Sequence, residues 1–210
     1  MADLDWTIWR IHAVTSPQLL ERPDFFSRAA ELIASGCVTL NLRAYGLSGR
    51  RFFETARRLR ELTLKAGAPL VVGDRIDVAL AVAADGVHLG VRSIPLAAAV
   101  ELCRNRGLRF GYSCHGLVEA EAAARAGAGY LYLGTIFASA SKPGTAPCGT
   151  QLLATVAGRM RVPVFGIGGI GPGNIGEVAI AGASGAAVIT AAWDATDSGR
   201  DIRLMSEAFG

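Results

Sequence analysis

One pattern recurs three times along the chain, as VAADGVHLG (82–90), RAGAGYLYLG (125–134) and IAGASGAAVIT (180–190). Each copy is typical of a helix end, a turn of small residues and then a short, buried strand. Because such strands have few polar positions, the sheet that they form is expected to be parallel and covered on both faces. The pattern therefore predicts a chain built of repeated β–α units.

Apolar runs along the whole chain predict eight strands that alternate with segments of helical period. The helical segments include 50–66, where charged residues lie away from an apolar stripe, and 95–106, which opens at Pro95. About eight such units favour a closed (βα)8 TIM barrel over an open doubly wound sheet, which stays the alternative. The strands are expected near 7–14, 37–42, 69–72, 86–89, 109–112, 129–133, 163–166 and 186–189.

Length and composition fit a single TIM-barrel domain over residues 1–210. The chain is 51% apolar, with a mean hydropathy of +0.35, and its length lies within the usual range of about 200 to 250 residues for this architecture. The net charge is +3, and the positive residues are spread out, so nothing in the charge pattern calls for a nucleic-acid partner.

The cysteines and the N-terminal segment indicate a protein of the cytoplasm. The four cysteines are widely spaced and include no CxxC pair, which argues against a zinc site or a disulfide framework and predicts free thiols. Asp3 and Asp5 precede the first apolar run, unlike in a signal peptide, and the chain has no stretch of 18 apolar residues. We therefore expect no membrane association.

The loop GTIFASASKPGTAPCG (134–149) follows an apolar strand and contains one charged side chain, Lys142. Small, flexible residues around a lone cation let backbone amides and an ammonium group approach an anion. The loop therefore predicts a phosphate site. The alternative is chance, because the chain uses Arg in preference to Lys and Lys65 is its only other lysine.

Polar residues also follow most of the other predicted strands, at the end of the barrel where TIM-barrel chemistry takes place. The glycines of GIGGI (166–170) and the end of AAVIT (186–190) predict a second phosphate site, since the loops after strands 7 and 8 commonly form one. A glycine at such a place can also simply form a tight turn. The polar residues include Asn41, Arg43, Asp74, Arg92, Ser93, Ser113, His115, Thr135 and Thr190.

Four segments in sequence order resemble the thiamine phosphate synthase superfamily, and the resemblance runs from about residue 8 to 195. They are VVGDRIDVALAVAADGVHLG, GYSCHGLVEAEAAARAGAGYLYLGTIFASASKPGTAPCGTQLL, VPVFGIGGIGPGNI and GAAVITAAW. The resemblance implies one of two activities. The synthase joins hydroxymethylpyrimidine diphosphate to thiazole phosphate with Mg²⁺ and releases diphosphate, whereas the TenI-like thiazole tautomerases move a proton on the thiazole ring and need no cofactor.

The resemblance also implies roles for individual residues. It makes Asp74 a magnesium ligand, places Arg43 and Lys142 at the diphosphate or pyrimidine, and places Ser113 near the reacting centre. Ser139 and Ser141 stand where the family has two threonines. The thiazole phosphate is expected at four residues, namely Gly168, Gly169, Ile189 and Thr190.

The chain departs from the synthase pattern around the diphosphate. Ser93 stands where the family has a second acidic magnesium ligand, and Gly73 replaces the asparagine before Asp74. Asn41 and Tyr45 stand where the family has glutamine and lysine. Loss of a charged partner commonly costs about 2 to 5 kcal/mol, so we expect weaker binding of magnesium diphosphate and favour a TenI-like thiazole tautomerase over the synthase, the main alternative.

The tautomerase branch is supported by the opening IHAVTSP (11–17), but its usual histidine after strand 6 is Thr135 here. Among the three histidines, we rank His115 above His12 as a replacement base, and we expect His88 to be a core residue. A structural role for His115 is the alternative. A third hypothesis is a non-catalytic sensor that retains the phosphate site.

The resulting predictions are an enzyme of thiamine biosynthesis that binds a small phosphorylated thiazole or pyrimidine and forms a homodimer. The cofactor is Mg²⁺ if the chain is a synthase, and none is needed if it is a tautomerase. Cys114 and Cys148 lie near the expected site, but no activating base accompanies them, so we interpret both as small buried thiols.

Overall fold

The computed structural model describes residues 5–36, 38–139 and 144–210. Eight parallel strands close into a barrel in chain order, and the first strand pairs with the last. The predicted TIM barrel is therefore confirmed. The strands are β1 (Ile11–Val14), β2 (Val38–Leu42), β3 (Leu70–Gly73), β4 (Gly86–Leu89), β5 (Arg109–Cys114), β6 (Tyr130–Gly134), β7 (Val164–Ile167) and β8 (Gly185–Val188).

Helices cover the outside of the barrel. The long helix α3 begins after Ser48, whose Oγ accepts a hydrogen bond from the Arg51 amide, and it ends at Gly67 with a φ of 67°. The helices of the described ranges are α1 (Pro17–Leu20), α2 (Phe25–Ala34), α3 (Gly49–Ala66), α4 (Ile76–Ala81), α5 (Leu96–Asn105), α6 (Leu117–Arg125), α7 (Gly149–Arg159), α8 (Ile175–Ile180), α9 (Thr190–Trp193) and α10 (Ser198–Glu207). In the described parts of the chain, no helix has the length and apolar character needed to span a membrane.

The first strand is shorter than the sequence predicts. β1 begins at Ile11 and not at residue 7, because residues 6–8 form a turn. Trp6 is 4% exposed, and its ring centroid lies 4.8 Å from that of Tyr130. The apolar character of this segment thus reflects a tryptophan buried against a residue at the beginning of β6.

The barrel interior is filled by aromatic and polar side chains. In β6, Tyr130 and Tyr132 belong to the inner cluster, whereas Leu131 and Leu133 pack in the cluster between sheet and helices. Gly111 makes room for Tyr130, because a Cβ at that glycine would lie 2.1 Å from the tyrosine ring.

Candidate active site

Two adjoining cavities lie at the carboxyl ends of the strands. The first has a volume of about 460 Å³ and extends over the loops after β5 to β8. The second has a volume of about 860 Å³ and extends over the loops after β1 to β5 and after β8. They share a wall formed by Arg43, Ser113, His115, Tyr132, Ile167, Ile189 and Thr190.

The glycine pair predicted to bind phosphate lines the first cavity. Gly168 and Gly169 have φ angles of 100° and 67°, which side chains other than glycine rarely adopt. A Cβ on Gly168 would also lie 2.6 Å from the Thr135 side chain, and one on Gly169 would lie 2.4 Å from the Ala138 carbonyl. Both positions therefore require glycine for backbone conformation and for space.

Hydrogen bonds fix the direction of the peptide groups in this loop. The Gly168 carbonyl accepts from the Phe137 amide at 3.0 Å, and the Gly169 carbonyl accepts from Asn174 Nδ2 at 2.9 Å. Because a trans peptide places N–H opposite C=O, the Gly169 amide points away from Phe137. The Ile170 amide points away from Asn174 for the same reason. Asn174 Oδ1 also accepts from the Gly171 amide at 2.8 Å.

Asn174 is therefore a structural element of the loop that the sequence analysis missed. It lies at the first cavity and precedes α8. Its position a few residues after GIGGI is a signal that could have identified it. Ile189, between β8 and α9, and Thr190, the first residue of α9, line the same cavity.

Arg43 lies between the two cavities at the end of β2. Its amide donates to Thr15 Oγ1 at 2.8 Å, and its carbonyl accepts from the same hydroxyl at 2.9 Å. Its Nε is buried and has no hydrogen-bond partner among the described residues. A cation whose backbone is held in place, and whose Nε has no partner among the described residues, is suited to bind an anion in either cavity.

Asp74 lines the second cavity, and two departures from the synthase pattern contact it. Ser93 Oγ donates a hydrogen bond to Asp74 Oδ1 and itself accepts from the Gly90 amide at 2.8 Å. Burial and then the Asp74 carboxylate raise the pKa of Tyr45. Asp74 thus has a hydroxyl partner in Ser93 and a nearby phenol in Tyr45 where the resemblance implied a second acid and a lysine.

The oxygen atoms around Asp74 fit a magnesium ion that is shared with a substrate. Within the described ranges, no group of three His, Cys, Asp or Glu residues could hold a metal ion by itself. Mg²⁺ commonly uses one or two carboxylates and takes its other ligands from water and substrate phosphates. The Asp74 carboxylate and the Ser93 hydroxyl provide hard oxygen ligands of this kind.

Asn41 is 2% exposed and lines the second cavity. Its Nδ2 donates to the Tyr132 hydroxyl at 3.1 Å, while its Oδ1 has no partner among the residues described. An acceptor of this kind can receive a hydrogen bond from a ligand.

His88 is a buried residue that also forms part of the wall of the second cavity. Its Nδ1 lies 3.1 Å from the Tyr130 hydroxyl and its Nε2 lies 2.8 Å from Ser113 Oγ. The imidazole is therefore satisfied, as expected of a core histidine, but it also lines the second cavity. Burial, followed by the proximity of His12 and Arg43, lowers the pKa of His88 well below 6.5, so the ring is neutral near pH 7.

The two histidines considered as bases occupy different places. His115 lines both cavities, is largely exposed, and has its Nδ1 3.3 Å from the Glu119 carboxylate. His12 is fully buried inside the barrel, and burial lowers its pKa to about 3. His12 does not line either cavity within the described part of the chain, so its position does not suit a base that must reach a ligand.

The 134–149 loop is described on both sides of residues 140–143. Thr135 is buried and accepts a hydrogen bond from the Cys148 amide at 2.8 Å through its carbonyl. Thr135 and Ser139 both line the first cavity. Lys142 and Ser141, two residues of the predicted site, lie outside the described residues.

The described cysteines Cys103, Cys114 and Cys148 are free thiols. Cys114 is buried beside the first cavity, and burial is the main cause that raises its pKa to about 12. Burial also raises the pKa of Cys148. Thiols with raised pKa values are poor nucleophiles near neutral pH. Cys114 is buried, as predicted, whereas Cys148 is only partly buried.

Comparison with known proteins gives consistent matches along the chain. The family model described as thiamine monophosphate synthase matches residues 11–192. A thiamine-phosphate synthase from Chloroflexus aurantiacus is 41% identical over 201 residues, which cover 94% of this chain and 92% of that protein. One from Moorella thermoacetica is 36% identical over 200 residues, which cover 95% of each.

A solved structure agrees with these relatives. The thiamine phosphate pyrophosphorylase from Pyrococcus furiosus superposes with a TM-score of 0.86 at 31% identity, covering 98% of this chain and all of that one. The names of these relatives support the synthase reaction, which the sequence analysis held as the alternative, better than the tautomerase reaction that it favoured. The family match and the level of identity together show that the chain belongs to the thiamine monophosphate synthase family.

Proposed function

We propose that this chain is a thiamine-phosphate synthase, a transferase that joins hydroxymethylpyrimidine diphosphate to thiazole phosphate and releases diphosphate. The observation that carries the proposal is the pair of adjoining cavities, which share a wall that includes Arg43 and Ser113. Two substrates that react with each other need neighbouring sites and a common boundary. The names of the relatives point to the same reaction.

The first cavity suits the thiazole phosphate. Its wall contains Gly168, Gly169, Ile189 and Thr190, and we assign their backbone amides to the phosphate. Backbone amides at glycine turns bind phosphate without the desolvation cost of a buried side-chain charge. Thr135 and Ser139 add hydroxyl groups on the β6 side of the same cavity.

The second cavity suits the pyrimidine diphosphate. Arg43 supplies a cation and Asp74 supplies a carboxylate. Asn41 supplies a carbonyl oxygen that has no hydrogen-bond partner among the described residues. Lys142, from the loop after β6, is proposed as a further cation at the diphosphate on the basis of its sequence position.

The reaction breaks the bond between the pyrimidine methylene carbon and the diphosphate oxygen, and the electron pair leaves with the diphosphate. The thiazole nitrogen then gives its lone pair to the methylene carbon and forms the new C–N bond. Arg43 stabilises the charge that develops on the departing oxygen, and the hydrogen bonds of its backbone to Thr15 fix the point from which its side chain extends. When bound at Asp74, Mg²⁺ would neutralise part of the diphosphate charge.

A tautomerase would use the thiazole phosphate alone and would leave the larger cavity without a substrate. His115 provides an imidazole at the rim, but it is 47% exposed on its side chain and is paired with Glu119. The described residues of the first cavity include no other histidine. We therefore favour the synthase.

The two cavities can be tested directly by calorimetric titration with thiazole phosphate and with magnesium diphosphate. A synthase is expected to bind both together, so saturation with one leaves binding of the other in place. Mutual displacement, or no binding of magnesium diphosphate, would contradict the two-substrate site. A homodimer and a cytoplasmic location remain predictions, and sedimentation of the purified protein tests the first.

A further inference from the structure

Ser113 and His88 share a hydrogen bond at the edge of the second cavity. Ser113 Oγ lies 2.8 Å from His88 Nε2, and the other ring nitrogen lies 3.1 Å from the Tyr130 hydroxyl. The imidazole is stacked on Tyr132, with 4.0 Å between ring centroids and an interplanar angle of 26°. A half-turn of the ring would break both hydrogen bonds, so the orientation of His88 is fixed by its neighbours.

These contacts continue into the barrel as a cluster of buried polar side chains. Tyr130 and Tyr132 lie side by side in it, with their ring centroids 5.3 Å apart. The Tyr132 oxygen also lies 2.6 Å from His12 Nδ1 and 3.1 Å from Asn41 Nδ2. All of these side chains except Ser113 are buried, so each proton position depends on the others.

The distances between the heavy atoms indicate which group is the donor in each of these hydrogen bonds. A separation of 2.6 Å between Tyr132 and His12 is shorter than the usual N–H···O range of about 2.7 to 3.2 Å and is typical of a hydroxyl donor. The Tyr132 proton is therefore given to His12, and Tyr132 accepts from Asn41. The separation of 3.1 Å between His88 Nδ1 and the Tyr130 hydroxyl fits an N–H donor, so the Tyr130 oxygen accepts from His88 Nδ1–H.

The environment of His12 agrees with its Nδ1 being the acceptor. When Nδ1 accepts, the proton of the neutral ring is on Nε2, which has no hydrogen-bond partner among the described residues. The ring is surrounded by aromatic groups, with centroids 4.3 Å away for Phe165 and 5.1 Å away for Tyr130. Aromatic faces attract an N–H group and repel a lone pair.

At the second cavity, the tautomer of His88 determines which hydrogen-bonding groups of Ser113 remain for a ligand. A neutral His88 with its proton on Nδ1 has a bare Nε2, and that nitrogen can only accept. The Ser113 hydroxyl must then donate its single proton to His88. The serine oxygen can then only accept further hydrogen bonds, through its lone pairs.

We propose that His88 is a positioning residue that directs the lone pairs of Ser113 toward the substrate, so that Ser113 binds a hydrogen-bond donor or a developing cation and not a phosphate oxygen. The inference deepens the proposed function and rests on it for the identity of the ligand. In a synthase, the matching groups are the amino group of the pyrimidine and the methylene carbon from which diphosphate departs.

The proton positions can be measured without any turnover. The chain contains three histidines, so labelling with ¹⁵N-histidine and recording long-range ¹H–¹⁵N spectra gives a small set of ring signals. His115→Ala and His12→Gln identify two rings by loss, which leaves His88. We expect His88 to carry its proton on Nδ1 near pH 7, and a proton on Nε2 would overturn the proposal.

Binding tests which part of the substrate Ser113 contacts. Ser113→Ala is expected to weaken the binding of hydroxymethylpyrimidine diphosphate by about tenfold, because one hydrogen bond is lost. The affinity for inorganic diphosphate is expected to stay unchanged. Equal weakening of both probes would mean that Ser113 contacts the anion, contrary to the proposal.

Two variants of His88 separate positioning from packing. His88→Phe keeps an aromatic ring beside Tyr132 but removes the acceptor for Ser113, whereas the amide of His88→Gln can still accept that proton. We expect His88→Gln to retain more affinity for the pyrimidine diphosphate than His88→Phe. Equal affinities would overturn the positioning role. Because the ring spectra and these affinities require no product, they can fail or succeed independently of synthase activity.

Discussion

Ser93 donates a hydrogen bond to the carboxylate of Asp74, which lies 19 positions earlier in the chain. The contact joins the loop after β4 to the end of β3 at the second cavity. Ser93 stands where the family resemblance implied a second acidic magnesium ligand. A neutral hydroxyl therefore lies where an anionic oxygen would strengthen the hold on a divalent cation.

Ser93→Asp is expected to increase the affinity for Mg²⁺ in the presence of inorganic diphosphate by about tenfold or more, or ~1.4 kcal/mol. The reason is that a second carboxylate beside Asp74 adds charge attraction to the ion. Calorimetric titration of the metal measures the change. Ser93→Asn, which is similar in size but neutral, is the matched control, and an equal gain in both variants would contradict the electrostatic explanation.

Arg43→Gln is expected to weaken the binding of inorganic diphosphate by about 10- to 100-fold, because charge-assisted hydrogen bonds contribute about 1.5 to 3 kcal/mol. Arg43→Lys keeps the charge but loses the planar donor group, so an intermediate affinity is expected. Titration with diphosphate at fixed ionic strength compares the three proteins. An unchanged affinity in Arg43→Gln would show that the Arg43 side chain does not bind diphosphate.

Gly168→Ala is expected to lower the free energy of unfolding by about 1 to 3 kcal/mol, because the backbone has a φ of 100° and the new methyl group would meet Thr135. Binding of thiazole phosphate should be lost in the same variant. Gly176→Ala is the control, since a Cβ at that helical position meets nothing within 4 Å. Denaturant titration and calorimetry measure the two effects, and equal stability of the two variants would contradict the account of the loop.

His12 makes the stability of the fold sensitive to acid. Its pKa is about 3 in the folded barrel, compared with 6.5 as its ordinary value. Between these values the unfolded chain binds a proton that the folded chain does not, so stability falls as the pH is lowered from 6.5 toward 3. The contribution approaches about 1.4 kcal/mol per pH unit in that window.

Urea unfolding of the wild type and His12→Gln at pH 6.5 and pH 4.5 isolates this term, because carboxylates contribute to both proteins alike. The wild type is expected to lose more stability than the variant over that interval. Identical losses would mean that His12 is protonated in the folded barrel.

The sequence predicts the barrel well because the buried strands are local apolar runs, some of which are bounded by glycines, as in Tyr130–Gly134. It fails at residues 7–10, where the apolar Ile8 belongs to a turn and is 65% exposed. The strand ends also identify several polar residues of the cavities, such as Arg43, Asp74 and Ser113. Contacts such as Ser93 with Asp74 and Ser113 with His88 depend on neighbouring strands and their register, which one sequence does not specify.

The central claim is tested most directly by incubating the protein with hydroxymethylpyrimidine diphosphate, thiazole phosphate and Mg²⁺ and measuring thiamine phosphate by mass spectrometry. The account predicts that thiamine phosphate and diphosphate form in equal amounts, that both disappear when the metal is chelated, and that Asp74→Ala greatly reduces both. If no thiamine phosphate forms at high protein concentration while both substrates are bound, the assignment as a synthase is contradicted.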